Sequence, residues 1–106
     1  WLTDEFLICN KLNHKHKYNY HAFTVILKKN EREKFLKYLK NNNIIAFISF
    51  EALHLSKMGK RLMKKSIILK NTDEIIKKIV RFPMHNKLNV KEVDYICKKV
   101  KDYFRK

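Results

Sequence analysis

The first predicted strand is an apolar run at residues 20–27. It is rich in aromatic and β-branched side chains, which favour a largely buried strand. A helix is predicted from Asn30 to about Lys40, because Asn30 and Glu33 have the spacing of a capping box and apolar residues then recur at helical intervals. Three consecutive asparagines at 41–43 end this helix, since Asn accepts the left-handed conformation found after helix C-termini.

A second strand is predicted at residues 44–50. This run is almost continuously apolar, which is typical of a strand covered on both faces. Strand, helix and strand then follow one another closely enough to form a βαβ unit, with a right-handed crossover if both strands share a sheet. Ile44, Ile45, Phe47 and Ile48 are expected to be largely buried.

Up to three further helices complete the predicted fold. A short one follows Ser56, interrupted near Gly59, the only glycine; a second runs from Asn71 to Pro83; the last begins at Asn89. Asn71 and Asn89 each have a glutamate three positions on, the capping-box spacing. The last helix has an apolar face formed by Val93, Ile96, Cys97, Val100, Tyr103 and Phe104. The prediction is therefore an α+β fold, a small sheet containing a βαβ unit and covered by three or four helices.

The chain of 106 residues is expected to form one domain. Residues 1–17 have no clear period and end in a polar run, so they are predicted to be a connecting segment before a domain at 18–106. Because the chain opens on Trp1 rather than Met, we expect it to be part of a longer protein or a shortened product. No apolar run is long enough to span a membrane and no signal pattern is present, which favours a cytoplasmic location.

The net charge of +15 raises the possibility of a nucleic-acid partner. However, 21 of the 25 basic residues are lysine, whereas recognition of bases and phosphates favours the guanidinium fork of arginine. We therefore expect only non-specific nucleic-acid binding. The alternative function, a small basic RNA-binding protein or ribonuclease, stays open because five histidines could supply acid–base groups.

No metal site is predicted. Cys9 and Cys97 show no C-x-x-C spacing, and the pair His14 and His16 lacks further ligands at a suitable distance along the chain. Free thiols are expected instead, with Cys97 in the core.

Candidate site residues lie in two stretches. His21 falls inside the first apolar strand, where a hydrogen-bonded core histidine is the commoner role and a ligand contact the rarer one. Ser49, Glu51 and His54 follow the end of the second strand, where binding sites are often built, although simple solvent exposure is an equal alternative. Residues 81–85 are expected only to end a helix and form a turn.

Five short motifs resemble, in order, the C-terminal part of DegT-type sugar-nucleotide aminotransferases. Residues 18–27 match a strand of the form Y/H-x-x-H-x-F/Y followed by aliphatics, and 38–44 match F/Y-L-K-x-x-G-I with Asn43 in place of glycine. Residues 46–54 match A-x-x-H-Y-x-P-L-H, and 55–60 are similar to the S-S-P-A-G-K continuation of enzymes that aminate 4-keto-6-deoxyhexose nucleotides. The L-P-M-H turn and the pattern after it are matched by residues 82–93.

This resemblance implies the small domain of a fold-type I pyridoxal-phosphate enzyme. Such enzymes transfer an amino group to a keto-sugar nucleotide for lipopolysaccharide and other surface polysaccharides, and they form homodimers. The resemblance also implies that an N-terminal large domain, missing here, carries the cofactor and its lysine. His21, Ser49, Phe50 and His54 are then expected to line the substrate side.

The chain departs from the family pattern at positions that bear on chemistry. Ser49 replaces the first histidine of the loop, and Ala52 replaces its proline. The family's cofactor lysine follows Ser-Phe in an S-F-x-x-x-K pattern, but His54 stands at that place after Ser49 and Phe50. We therefore expect no catalytic residue and no cofactor-binding residue in this chain, which is predicted to be inactive alone.

Overall fold

The computed structural model describes residues 7–9, 15–63 and 65–105. His14 and most of the segment 1–17 lie outside the described residues. In chain order the elements are β1 Leu7–Cys9, β2 Phe23–Leu27, α1 Arg32–Asn41, a 3-10 turn Leu53–Leu55, α2 Lys57–Leu62, α3 Lys70–Ile75, β3 Ile79–Phe82 and α4 Val90–Phe104. No helix among these residues is both long and apolar enough to cross a bilayer.

The three strands form one antiparallel sheet in the order β1-β2-β3. β1 pairs with β2 through Leu7 opposite Leu27, and β2 pairs with β3 through Phe23 opposite Phe82. β1 lies within the segment assigned to a connection, so these three residues belong to the sheet itself. The predicted α+β class, with a small sheet and covering helices, is confirmed.

One face of the sheet carries the core. Because side chains alternate across a strand, Val25 and Leu27 of β2 lie on the same face as Val80 and Phe82 of β3, and all four are buried. On the opposite face, Ile8 of β1 is 52% exposed. The core is therefore one-sided.

Helices α1 and α4 cover the buried face. Phe35 of α1 is fully buried, and its ring centre lies 4.9 Å from that of Tyr103 and 5.2 Å from that of Phe104, both in α4. The Tyr103 hydroxyl donates to Glu31 at 3.3 Å. Aromatic rings at these distances stabilise the fold by more than the burial of their apolar area alone. Helices α1 and α4 therefore form one layer.

The predicted strand at 44–50 is wrong. Only Phe47 pairs, through an isolated antiparallel bridge to Arg81 at the free edge of β3. Ile44 is buried as expected, but Ile45, Phe47 and Ile48 are 65%, 55% and 44% exposed. β2 pairs with β1 and β3, both antiparallel, so β2, α1 and residues 44–50 do not form a βαβ unit.

The predicted helix from Asn71 to Pro83 is wrong in its second half. α3 ends at Ile75, and the residues from Ile79 onward form β3. The apolar residues between 75 and 80 fit a helical period, but 79 and 80 also fit a strand, and pairing with β2 decides between the two. Asn71 is not the N-cap either, since Leu69 holds that position.

Smaller differences concern the ends of elements. The first strand begins at Phe23 rather than residue 20, because Tyr20 turns the chain with a positive φ of 50°. α1 is capped by Glu31 without a side-chain hydrogen bond, so the capping box predicted at Asn30 does not form. α2 continues through Gly59 without the expected interruption.

Residues 50–69, here called the arm, lie between the edge of β3 and α3. Among the residues of the arm that the structure describes, 50–63 and 65–69, only Ala52 and His54 are buried. The rest of the described chain, from the sheet to α1 and α4, is here called the body. The arm contains α2 and the 3-10 turn, which pack mainly on each other.

Candidate functional site

A groove of about 1010 Å³ lies beside the free edge of β3. We call it the Arg81 groove. Its walls come from three stretches: residues 43–49, residues 81–89, and the first turns of α4. Its polar and charged lining residues are Asn43, Ser49, Arg81, His85, Asn89, Lys91, Glu92 and Tyr95.

The Phe47–Arg81 bridge fixes one wall of the groove. The Phe47 backbone N–H donates to the Arg81 carbonyl and the Arg81 N–H to the Phe47 carbonyl, both at 2.8 Å. Two residues paired in this way project their side chains to the same face. The Arg81 guanidinium also donates a long, 3.5 Å hydrogen bond to the His21 carbonyl, so the residues just before β2 lie within reach of the Arg81 side chain.

The opposite wall is the beginning of α4, which the sequence predicted correctly. The Asn89 side chain accepts from the Glu92 backbone N–H at 3.0 Å, and the Glu92 carboxylate accepts from the Asn89 N–H at 2.9 Å. This capping box satisfies backbone donors that a helix start would otherwise leave free. Lys91 and Tyr95 are therefore presented from a well-defined helix terminus.

The four predicted site residues do not all face this groove. Ser49 lines it. His21 is exposed, and the contact that places it near the groove is that of its carbonyl with Arg81. Phe50 is 74% exposed, contrary to the expectation that it would be at least partly buried, and it is not a lining residue.

His54 lies in a different environment, inside the arm. Its Nε2 is 2.6 Å from Oδ1 of Asp73 in α3, and the two side chains are 7% and 28% exposed. Its described polar contact is therefore with Asp73 rather than with the groove. The neighbouring acid, Glu74, is engaged elsewhere: a hydrogen bond from Lys78 at 2.7 Å lowers the pKa of the Glu74 carboxyl.

The local geometry of the arm explains why residue 59 is a glycine. The Ser56 side chain accepts from the Gly59 N–H at 3.0 Å and donates to the Leu53 carbonyl at 2.7 Å. A Cβ on Gly59 would lie 1.8 Å from that carbonyl oxygen. Gly59 is therefore needed for the close packing of α2 on the 3-10 turn.

Two residues that shape the groove were missed by sequence reasoning. Arg81 was assigned only to a helix end and turn, and Phe47 to a buried strand. The available signal was one arginine among many lysines, placed directly before the Phe-Pro turn. It becomes informative only once β3 is known to have a free edge.

A second, smaller cavity of about 260 Å³ is almost entirely apolar and reaches Cys97 in α4. Cys97 is partly buried, and desolvation raises the pKa of its thiol, although Lys101 opposes the shift. A raised pKa lowers the thiolate fraction and hence reactivity. Neither Cys9 nor Cys97 forms a disulfide within the described part of the chain.

The described residues do not fit pyridoxal phosphate. A phosphate cradle needs open backbone N–H groups, usually on a glycine-rich loop, but Gly59 is packed against Leu53. A cofactor lysine needs an enclosed position, yet none of the lysines in the described part of the chain is buried. Likewise, no cluster of three or more His, Cys, Asp or Glu side chains there is placed to hold a metal ion.

Comparison with solved structures shows the same fold in three aminotransferases. The aminotransferase TlmJ from Streptoalloteichus hindustanus matches with a TM-score of 0.82 at 17% identity, over 95% of this chain and 27% of its own. The sugar aminotransferase CalS13 from Micromonospora echinospora matches with 0.78 at 10%, over 92% and 25%. PseC from Helicobacter pylori, an aminotransferase of pseudoaminic acid biosynthesis, matches with 0.72 at 18%, over 80% and 24%.

The chain therefore spans about a quarter of the length of these enzymes. A search of curated proteins gives no significant match. A family model matches residues 3–101, nearly the whole chain. The chain belongs to the DegT/DnrJ/EryC1/StrS aminotransferase family.

Proposed function

We propose that this chain is the C-terminal domain of a pyridoxal-phosphate aminotransferase that acts on a keto-sugar nucleotide in surface polysaccharide biosynthesis. The observation that carries the proposal is the family match over residues 3–101. One of the similar structures is a sugar aminotransferase, and another is an aminotransferase involved in the biosynthesis of pseudoaminic acid. In this proposal a large N-terminal domain holds the cofactor, and the enzyme is a homodimer.

The proposed role of the domain is to complete the substrate pocket. Ser49 lines the Arg81 groove, and the His21 carbonyl accepts a hydrogen bond from the Arg81 guanidinium. We place Ser49, His21 and the exposed ring of Phe50 on the substrate side. His54 contributes there by holding the loop through Asp73, since its side chain is nearly enclosed.

The chain alone is proposed to be inactive, because its described residues supply neither an enclosed lysine nor a phosphate cradle. This part of the proposal is tested on the chain itself. After incubation with pyridoxal phosphate and reduction with borohydride, mass spectrometry should find low labelling spread over many lysines. Stoichiometric labelling of one lysine would contradict it.

The activity is tested on the protein extended upstream in its own reading frame. With pyridoxal phosphate, L-glutamate and a thymidine-diphosphate 4-keto-6-deoxyhexose, the extended protein should form 2-oxoglutarate and an amino-sugar nucleotide, whereas the chain of 106 residues should form neither. Transamination of amino acids only, with no keto-sugar nucleotide accepted, would overturn the substrate assignment.

A further inference from the structure

We propose that the Arg81 groove binds the nucleoside diphosphate part of the substrate, with Arg81 contacting phosphate and the Phe47 ring stacking on the base. The inference rests on the proposed function for the identity of the ligand. It assigns a site to residues outside the sugar-side set of His21, Ser49, Phe50 and His54.

The Arg81 guanidinium has no carboxylate partner among the described residues. The ion pairs there are Arg32 with Glu33, His54 with Asp73 and Lys78 with Glu74. The side-chain hydrogen bond of Arg81 is the long one to the His21 carbonyl, at 3.5 Å. A partly buried guanidinium therefore retains most of its five donors, and its fork matches two phosphate oxygens at once.

The charges around Arg81 favour an anion. Lys91 also lines the groove. Of the carboxylates in the described chain, Glu92 alone reaches its lining, and that carboxylate accepts the Asn89 backbone N–H at 2.9 Å. A concave surface in which cations outnumber anions raises the local concentration of anionic ligands.

The Phe47 ring offers a surface for stacking next to Arg81. Phe47 and Arg81 are directly paired, so their side chains leave the same face with Cβ atoms about 5 Å apart. The Phe47 side chain is more than half exposed although its backbone is fixed. A base can stack on such a ring whatever its sequence identity, because every base has a π-face. Phosphate and base contacts are thus provided by one pair of residues.

The size and rigidity of the groove also fit a nucleotide. At about 1010 Å³ it is at the upper end of small-molecule sites, which are roughly 300–1,000 Å³. The far wall is fixed by the capping box of α4, and the Tyr95 hydroxyl donates to the Asn42 carbonyl at 3.2 Å. Little ordering is then required on binding, which favours affinity.

The test uses this chain with three probes: thymidine diphosphate, pyrophosphate and thymidine. Titrations followed by amide NMR should show thymidine diphosphate shifting residues 44–49 and the start of α4. Arg81→Gln should raise its Kd at least 10-fold, as expected for loss of a charge-assisted contact. Arg61→Gln, the same charge change in the arm, should raise it less than 2-fold. Arg81→Lys should give an intermediate value, because it keeps the charge without the fork.

Phe47→Leu separates the two halves of the proposed contact. It should weaken thymidine diphosphate several-fold and leave pyrophosphate unchanged. Because the Phe47–Arg81 pairing uses backbone atoms, these variants should keep the sheet, which the amide spectrum verifies. Shifts spread over lysine surfaces, equal losses for Arg61→Gln and Arg81→Gln, or a single-stranded RNA binding the groove more tightly than thymidine diphosphate would each overturn the proposal.

The result of this binding test can be distinguished from the result of the test of the proposed function. If the extended protein transaminates the keto-sugar nucleotide while Arg81→Gln leaves its KM for the nucleotide unchanged, this inference fails and the function stands. If the chain binds thymidine diphosphate in the groove but the extended protein does not transaminate, the proposed function fails instead.

Discussion

The body and the arm have similar apolar content, but the buried hydrophobic cluster lies in the body. In the body, Phe35, Leu39 and Leu27 are fully buried between the sheet and two helices. In the arm, eight large apolar residues are at least 38% exposed: Phe50, Leu53, Leu55, Met58, Leu62, Ile67, Ile68 and Leu69. An apolar run is buried only where a second layer exists to cover it. The body contains its own second layer. We propose that the large domain provides the second layer that covers the arm.

Two attachments hold the arm to the body. Just before the arm begins, the Phe47–Arg81 bridge fixes the chain to β3. Near the start of the arm, His54 joins it to α3 through Asp73, and α3 is in turn bound to α1 because the Arg32 guanidinium donates to the Ile76 carbonyl. The arm is therefore positioned by polar contacts rather than by a core.

The largest expected effect contrasts one substitution in the two regions. Phe35→Ala removes a fully buried ring and should reduce the free energy of unfolding by about 3–5 kcal/mol. Phe50→Ala removes a ring that is 74% exposed and should change it by less than about 0.5 kcal/mol. Urea unfolding followed by circular dichroism measures both. Comparable losses would mean that the arm packs on the body after all.

The next effect concerns the attachment of the arm. His54→Ala leaves the partly buried Asp73 carboxylate without its partner, which typically costs about 1–3 kcal/mol. Because the contact joins the arm to α3, we expect mainly local opening. Trypsin should cleave after Lys57, Lys60 and Arg61 roughly 10-fold faster than in the wild type.

Glu74→Gln is the matched control for this prediction, since Glu74 pairs with Lys78 and not with His54. Its cleavage pattern should match that of the wild type. If Asp73→Asn and His54→Ala accelerate cleavage additively in the double variant, the two side chains are not coupled, and the attachment is wrongly assigned.

A third prediction compares two identical patterns, only one of which forms its contacts. Asn89 and Glu92 make a full capping box, whereas Asn30 and Glu33 have the same spacing but α1 is capped by Glu31 without a side-chain bond. Asn89→Ala should destabilise the domain by about 1 kcal/mol and Asn30→Ala by no more than a few tenths. Thermal unfolding of the two variants provides the comparison, and equal shifts in Tm would refute it.

These pairs show what the sequence could and could not predict. The elements of the body that depend on local signals were predictable: α1 ends at its asparagines and α4 begins at its capping box. The secondary structure of residues 75–82 was not predictable, because their apolar positions fit both a helical and a strand period. The pairing of β2 with β3 decides between the two. Residues 44–50 were misassigned because an apolar run does not reveal whether its cover lies within the chain.

The candidate site was predicted in the same uneven way. Ser49 lines the Arg81 groove, and the local signal that points to it is a polar residue near the end of an apolar run. The pairing of His54 with Asp73 spans 19 residues of sequence and could not be inferred from spacing. Arg81 gains its significance only from the free edge of β3.

The smallest expected effect lies at Asn43, where α1 ends and the groove begins. Asn43 has a φ of 59°, its N–H donates to the Lys40 carbonyl at 3.0 Å, and the Ile44 N–H donates to the Leu39 carbonyl at 2.9 Å. This is a Schellman motif, completed by the buried side chains of Leu39 and Ile44.

Asn43→Gly removes the modest cost of a left-handed side-chain residue but increases the freedom of the unfolded chain, and these two effects oppose each other. The free energy of unfolding should therefore stay within about 0.5 kcal/mol of the wild type, whereas Asn43→Ala, which is less tolerant of this conformation, should lose about 1 kcal/mol. Urea unfolding of both variants measures the difference. If Asn43→Ala were neutral, the helix end would not need the left-handed turn. The boundary between body and groove would then be set by the burial of Ile44 alone.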